Sequence, residues 1–187
     1  MNEFKVIFLG GSGAGSKTSL ISKFVSGIFE ENLASTTGAS YASKVIATPL
    51  GNVNLNIWDT AGQEKYRNLT RLFYKECDCF ILGYDVTRKH SFDDDIKNYY
   101  YNEIISTSKD ILIYLVGTKI DCNEYREVST EEGIAYSKEK GIKFYEVSSK
   151  TGENVQKLFE DIAITLLKKK WKKKELLIRK MMKRMIT

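Results

Sequence analysis

One histidine, one proline and three cysteines in 187 residues leave several kinds of chemistry without their usual side chains. Cys77, Cys79 and Cys122 are too scattered for a disulfide framework, and Cys77-x-Cys79 is one residue short of metal-ligand spacing. They are expected to be reduced thiols. The single histidine, His90, stands in a polar stretch between Lys89 and Ser91, which predicts a solvated loop residue and argues against histidine-based catalysis. No apolar run approaches the ~18 residues of a membrane span; the longest, around Phe80–Leu82 and Ile111–Val116, have strand length. The Met-Asn-Glu-Phe start has no signal-peptide pattern, and Asn2 stands where N-myristoylation requires glycine. A cytosolic protein is expected.

Charge of one sign is scarce at one end. Residues 168–187, KKKWKKKELLIRKMMKRMIT, hold ten Lys/Arg and one Glu, a net of +9. Because the whole chain carries +5, residues 1–167 carry −4. A mildly acidic body with a basic tail differs from a uniformly basic nucleic-acid binder, so no nucleic-acid partner is expected. The chain divides into a domain over 1–167, within the usual length of one unit, and a tail over 168–187.

Strand and helix patterns alternate along the domain. FKVIFLG (4–10) is an apolar run ending in glycines, and Lys17–Phe24 places Leu20, Ile21 and Phe24 on one helix side. Residues 40–58 alternate and turn at Pro49-Leu50-Gly51-Asn52, a hairpin signature. CFILGYDV, ILIYLVGT and IKFYEVSS read as buried parallel strands, with helical stretches near 92–107, 130–140 and 153–168. The expected fold is α/β, a mostly parallel six-stranded sheet with helices on both faces. Ligands of such sheets bind at the carboxyl ends of the strands. There the sequence places GGSGAGSKT, DTAGQE, TKID and SSK.

These stretches suit a nucleoside triphosphate. A glycine-rich loop entering a helix offers backbone N–H groups and the positive end of the helix dipole. Lys17 supplies a charge for the β and γ phosphates, and the Thr18 hydroxyl can ligate Mg²⁺. Asp59, ending an apolar strand, can hold one of the metal's waters. Asp121 can accept from N1–H and N2–H₂ of guanine, a pair adenine lacks, and such sites discriminate by ~10⁴–10⁵. The Lys119 stem can lie on one face of the base.

WDTAGQE (58–64), with TGASY (37–41), NLNIW (54–58), KYRNLT (65–70) and LGYDVT (82–87), resembles the Rab family of Ras-superfamily small GTPases, over residues 4 to about 167. STTGASY is most similar to the early-endosomal branch. The resemblance implies the P-loop small-GTPase fold, GTP/GDP as bound nucleotide, Mg²⁺, and a switch in vesicular membrane traffic. It implies that Gly13, Ala14, Gly15, Ser16, Lys17 and Thr18 wrap the phosphates, with Ser19 near the α-phosphate. Phe29 would cover the base opposite Lys119, and Ser148, Ser149 and Lys150 would close over it. Thr36 would reach Mg²⁺ only with the γ-phosphate present, Gly62 would sense that phosphate, and Gln63 would orient the attacking water. Tyr41, Trp58 and Phe73 match an exposed aromatic trio read by effectors. Exchange factors and activating proteins are implied as further partners of a monomer. No arginine stands where a finger acting in cis would, and such an arginine contributes about 10³–10⁵ in rate. Slow intrinsic hydrolysis is therefore expected.

Four departures stand out. Thr118 occupies a place where most Rabs carry Asn, Ser149 replaces Ala, and Thr37 replaces Ile. The phosphate loop has one residue too many: from Gly10 the second glycine falls at Gly15, and Ser16 then separates it from Lys17. Four glycines give the loop freedom to absorb a bulge, so nucleotide binding is expected to survive; the alternative is a degenerate binding module without turnover. An ATPase or kinase reading is disfavoured by TKID and SSK. Finally, residues 168–187 contain no prenylatable cysteine. In helical register Leu167, Trp171, Ile178, Met181 and Met185 roughly share a face opposite lysines, a membrane-surface or calmodulin-target pattern. That tail reads either as a segment resting on an anionic membrane surface or as a solvated disordered stretch, and the cytosolic face of endomembranes is the expected location.

Overall fold

The computed structural model describes residues 1–11, 17–30, 39–60, 71–107 and 111–186, with side chains described to residue 182. β1 (Asn2–Leu9) precedes α1 (Lys17–Ser26), and β2 (Ala39–Thr48) pairs antiparallel with β3 (Gly51–Thr60). The expected hairpin turn is present. The Thr48 hydroxyl accepts from Leu50 N at 3.1 Å and donates to Gly51 O at 2.7 Å, and Gly51 takes the φ of 115° that the reversal needs. Then follow β4 (Cys79–Asp85), a π-helical segment (Ser91–Tyr100) running into α2 (Tyr101–Thr107), and β5 (Leu112–Thr118). A 3₁₀ segment (Ile120–Tyr125), α3 (Thr130–Lys140), β6 (Lys143–Val147) and α4 (Val155–Ile186) complete the described chain.

The six strands form one sheet in the order β2-β3-β1-β4-β5-β6, parallel except for β2. Alternate residues of each strand enter two cores. Val6, Phe8, Leu55, Ile57 and Ile81 pack with Leu20, Ile21 and Phe24 of α1 and Leu158, Phe159 and Ile162 of α4. Ile7, Leu9, Phe80, Leu82 and Tyr84 pack on the opposite face with Phe92, Ile96, Tyr100 and Tyr136. Phe24 stacks on Phe159 with centroids 3.8 Å apart, which ties α1 to α4. Helices on both faces are thus as expected.

Two helices differ from expectation. The stretch read as 92–107 begins in π geometry over Ser91–Tyr100 and turns α-helical at Tyr101; its buried residues include Phe92, Ile96, Tyr100 and Ile104. The helix expected near 153–168 runs on to Ile186 as 32 residues, about 48 Å at ~1.5 Å per residue. Its inward side ends at Leu166 and Leu167, and Trp171, Leu177, Ile178, Met181 and Met182 beyond are exposed. No described helix is long and apolar enough to cross a membrane.

Candidate nucleotide site

Sheet register assembles the site. Phe8 lies beside Asp59 and Ile81, while Asp85 lies beside Thr118, and Thr118 beside Val147. The carboxyl ends of β1, β3, β4, β5 and β6 therefore share one edge of the sheet, and α1 begins there at Lys17. That is the edge on which ligands of open α/β sheets bind. A groove of about 490 Å³ lined by Phe4, Ile111, Lys169 and Lys173 lies at the opposite, amino-terminal edge. A cavity of about 270 Å³ lies on the carboxyl edge. The smaller one adjoins the chemistry.

At the phosphate end, Lys17 is 7% exposed and its ammonium donates to Gly10 O at 2.9 Å and Gly11 O at 3.2 Å. Burial pulls its pKa below the usual ammonium range, opposed by the charges of Asp59 and Asp95. The Thr18 hydroxyl donates to Asp59 Oδ2 at 2.5 Å, so the two expected oxygen ligands are adjacent. Hydroxyl and carboxylate oxygens are hard donors that suit Mg²⁺. Gly13, Ala14, Gly15, Ser16, Thr36, Thr37, Gly62 and Gln63 lie outside the described residues.

At the base end, Ser19, Phe29, Lys119, Asp121, Cys122, Ser149 and Lys150 line the 270 Å³ cavity, six of them on the expected list. Lys119 has φ 63° and ψ 36°, a left-handed conformation that costs a non-glycine residue about 1–3 kcal/mol. It turns the chain out of β5 so that Asp121 faces the cavity. The Lys119 ammonium pairs with Asp85 at 2.6 Å. Asp121 is exposed rather than buried, and its Oδ1 accepts from the Ser148 hydroxyl at 2.6 Å. Ser148, fully buried, also accepts from Thr151 N at 3.1 Å, which fixes the hydroxyl that holds Asp121. Thr118 points away from the cavity, its hydroxyl donating to Tyr84 O at 2.9 Å between β4 and β5. Ser149 Oγ is buried without a hydrogen-bond partner among the described residues, a polar atom that a bound base edge could satisfy.

The aromatic trio is contiguous. Tyr41 and Trp58 meet edge to face at 5.5 Å, and Trp58 and Phe73 lie 5.1 Å apart. Tyr41 is 56% exposed and donates to Asn56 Oδ1 at 2.7 Å. His90 is exposed, as expected, but it is helical, at the start of the π-helical segment, rather than in a loop, and its Nδ1 pairs with Asp94.

Three site residues escaped the sequence reading. Asp85 is fully buried; besides Lys119 it accepts from Thr87 N at 2.9 Å and Thr87 Oγ1 at 2.7 Å. It ends an apolar strand as Asp59 does, and that shared position was its available signal. Cys122 follows Asp121 into the cavity wall, where burial and the Asp121 charge raise its thiol pKa. Asp95, on the π-helical segment, is 4% exposed, its carboxylate lies against Gly11, and its charge acts on Lys17. Nothing in its spacing marked it.

A family model described as the Ras family matches residues 5–168. The Ras-related protein RABC2a of Arabidopsis thaliana is 39% identical over 165 residues, spanning 88% of this chain and 78% of that protein. The Ras-related protein Rab-30 of Homo sapiens is 36% identical over 170 residues, 88% of this chain and 80% of the relative. The GTP-binding protein ypt2 of Schizosaccharomyces pombe is 36% identical over 166 residues, 89% and 82%.

Proposed function

Because this chain belongs to the Ras family, among Rab relatives, we propose that it is a GTP-binding, slowly GTP-hydrolysing switch in vesicular membrane traffic. The observation that carries the reading is the cavity in which Phe29, Lys119, Asp121, Ser149 and Lys150 face one another. Asp121, held by Ser148, receives N1–H and N2–H₂ of guanine, and Lys119 lies along the ring. Lys17 shifts its donors from the loop carbonyls to the phosphates. Thr18, Thr36 and, through water, Asp59 would hold Mg²⁺, which would supply charge neutralisation on the phosphates. Gln63 orients the water, and Thr36 and Gly62 let go once the γ-phosphate has left, so partners that read Tyr41, Trp58 and Phe73 sense the change. Exchange factors and activating proteins set how long each state lasts.

Single-turnover hydrolysis by the purified chain is expected at roughly 10⁻⁴–10⁻² s⁻¹, the range of switches without a partner's arginine. A rate constant above about 1 s⁻¹ would contradict a switch of this kind. One observation favours a second reading, a binding module without turnover: the surplus residue between Gly10 and Lys17. Nucleotide bound without measurable hydrolysis would select it.

The exposed part of α4 is proposed to rest on an anionic membrane at the cytosolic face of endomembranes. Each basic residue near such a surface contributes about 1 kcal/mol, and Trp171, Ile178 and Met181 supply apolar area beside them. Reversing Lys172, Lys173 and Lys174 to Glu in the full chain should abolish co-sedimentation with phosphatidylserine vesicles at physiological salt. Equal binding by both proteins would remove the membrane from the proposal.

A further inference from the structure

Three consecutive aspartates open the π-helical segment, and they point in different directions. Asp93 pairs with Lys97 at 2.7 Å, and Asp94 pairs with His90 and accepts from Asn98 at 3.2 Å. Both are surface contacts between residues four apart on the helix. Asp95 turns inward instead and is 4% exposed. Its carboxylate lies so close to Gly11 that a Cβ built there would stand 1.9 Å from Oδ2. Only glycine fits against it. Gly11 O is in turn one of the two carbonyls that hold the Lys17 ammonium, and the Asp95 charge acts on that ammonium directly.

A buried carboxylate is costly unless its charge is met. Asp95 shares the inward side of the segment with Phe92 and Ile96, against Gly11, and its charge acts on the phosphate-loop lysine. π-Helical turns occur frequently at functional sites. We propose that Asp95 is a positioning residue of the phosphate site, fixing the Gly11 peptide by contact and the Lys17 ammonium by charge for a bound polyphosphate. The inference rests on the guanine-nucleotide reading above. It adds a determinant to those that reading names, on an element to which it assigns no nucleotide contact. Asp95 acts through Gly11 and Lys17 and touches no substrate in this account.

The test is the release rate of a fluorescent GDP analogue from the full chain, with melting temperature read in parallel. Asp95→Ala is expected to speed release about tenfold or more. Asp95→Asn keeps the shape and removes the charge, and should fall between that variant and wild type. Gly11→Ala introduces the methyl that collides with the carboxylate and should also speed release. The double variant Gly11→Ala/Asp95→Ala should be no faster than the quicker single variant, because both changes break one unit. A merely structural role would lower melting temperature in all variants while leaving release from the folded protein unchanged. Release within twofold of wild type for both Asp95 variants, or fully additive effects in the double, would overturn the proposal. A wild-type chain that retained no GDP would contradict the nucleotide reading itself, an outcome distinct from variants that match a GDP-retaining wild type.

Discussion

Asp121→Ala is expected to weaken GDP binding by about 10²–10⁴-fold while leaving the fold intact. The carboxylate would accept two hydrogen bonds from the base, each contributing about 1.5–3 kcal/mol when one partner is charged. Their joint loss is about 3–6 kcal/mol, which is the stated range in affinity. Asp121 is exposed, and its carboxylate accepts from the Ser148 hydroxyl at 2.6 Å and the Cys122 thiol at 3.5 Å, so the substitution removes little packing. The competing base supplies the control. Inosine diphosphate lacks the exocyclic amine, so wild type should prefer GDP to it and Asp121→Ala should lose that preference. Isothermal titration with both nucleotides reads the effect. A variant that still discriminates between them would show that another group recognises the base.

Lys17→Ala is expected to act on binding and on stability together. Truncating one partner of a buried charge pair typically costs about 2–5 kcal/mol, or about 30- to 4,000-fold in affinity for GDP. The same change removes the ammonium whose charge acts on Asp59 and Asp95 and its two bonds to loop carbonyls, so the nucleotide-free protein should lose stability to chemical denaturation. Both carboxylates are almost wholly buried, which is why the stability effect should be measurable. Unchanged stability with weakened binding would mean that the two carboxylates are satisfied elsewhere. Binding within threefold of wild type would remove Lys17 from the phosphate site.

The parts of the molecule that were legible in the sequence are those fixed by local pattern. Alternation around Pro49 to Asn52 specified the hairpin, and apolar runs ending in polar stretches specified which edge of the sheet would carry the site. Six of the cavity's seven lining residues could be named because TKID, SSK and the spacing from Lys17 to Phe29 are carried by consecutive or fixed-offset residues. What stayed hidden depends on distance in space. Asp95 meets Gly11 from a segment more than eighty residues away in sequence, and a row of apolar residues every four positions reads as an ordinary helix until its partner surface is known. The charge change at residue 168 suggested a boundary, whereas the helix crosses it unbroken. Lys, Leu, Met, Arg and Glu all favour helix, so a change in charge need not be a change in conformation.

The claim on which the account turns is that a loop with a surplus serine still cups a polyphosphate while a carboxylate on the far side of the site picks guanine. The most direct measurement is to denature the purified native chain and identify the released nucleotide by ion-exchange chromatography. The account predicts GDP or GTP in stoichiometric amount. Protein purified without nucleotide and unable to take up GDP, or carrying an adenine nucleotide instead, would contradict it.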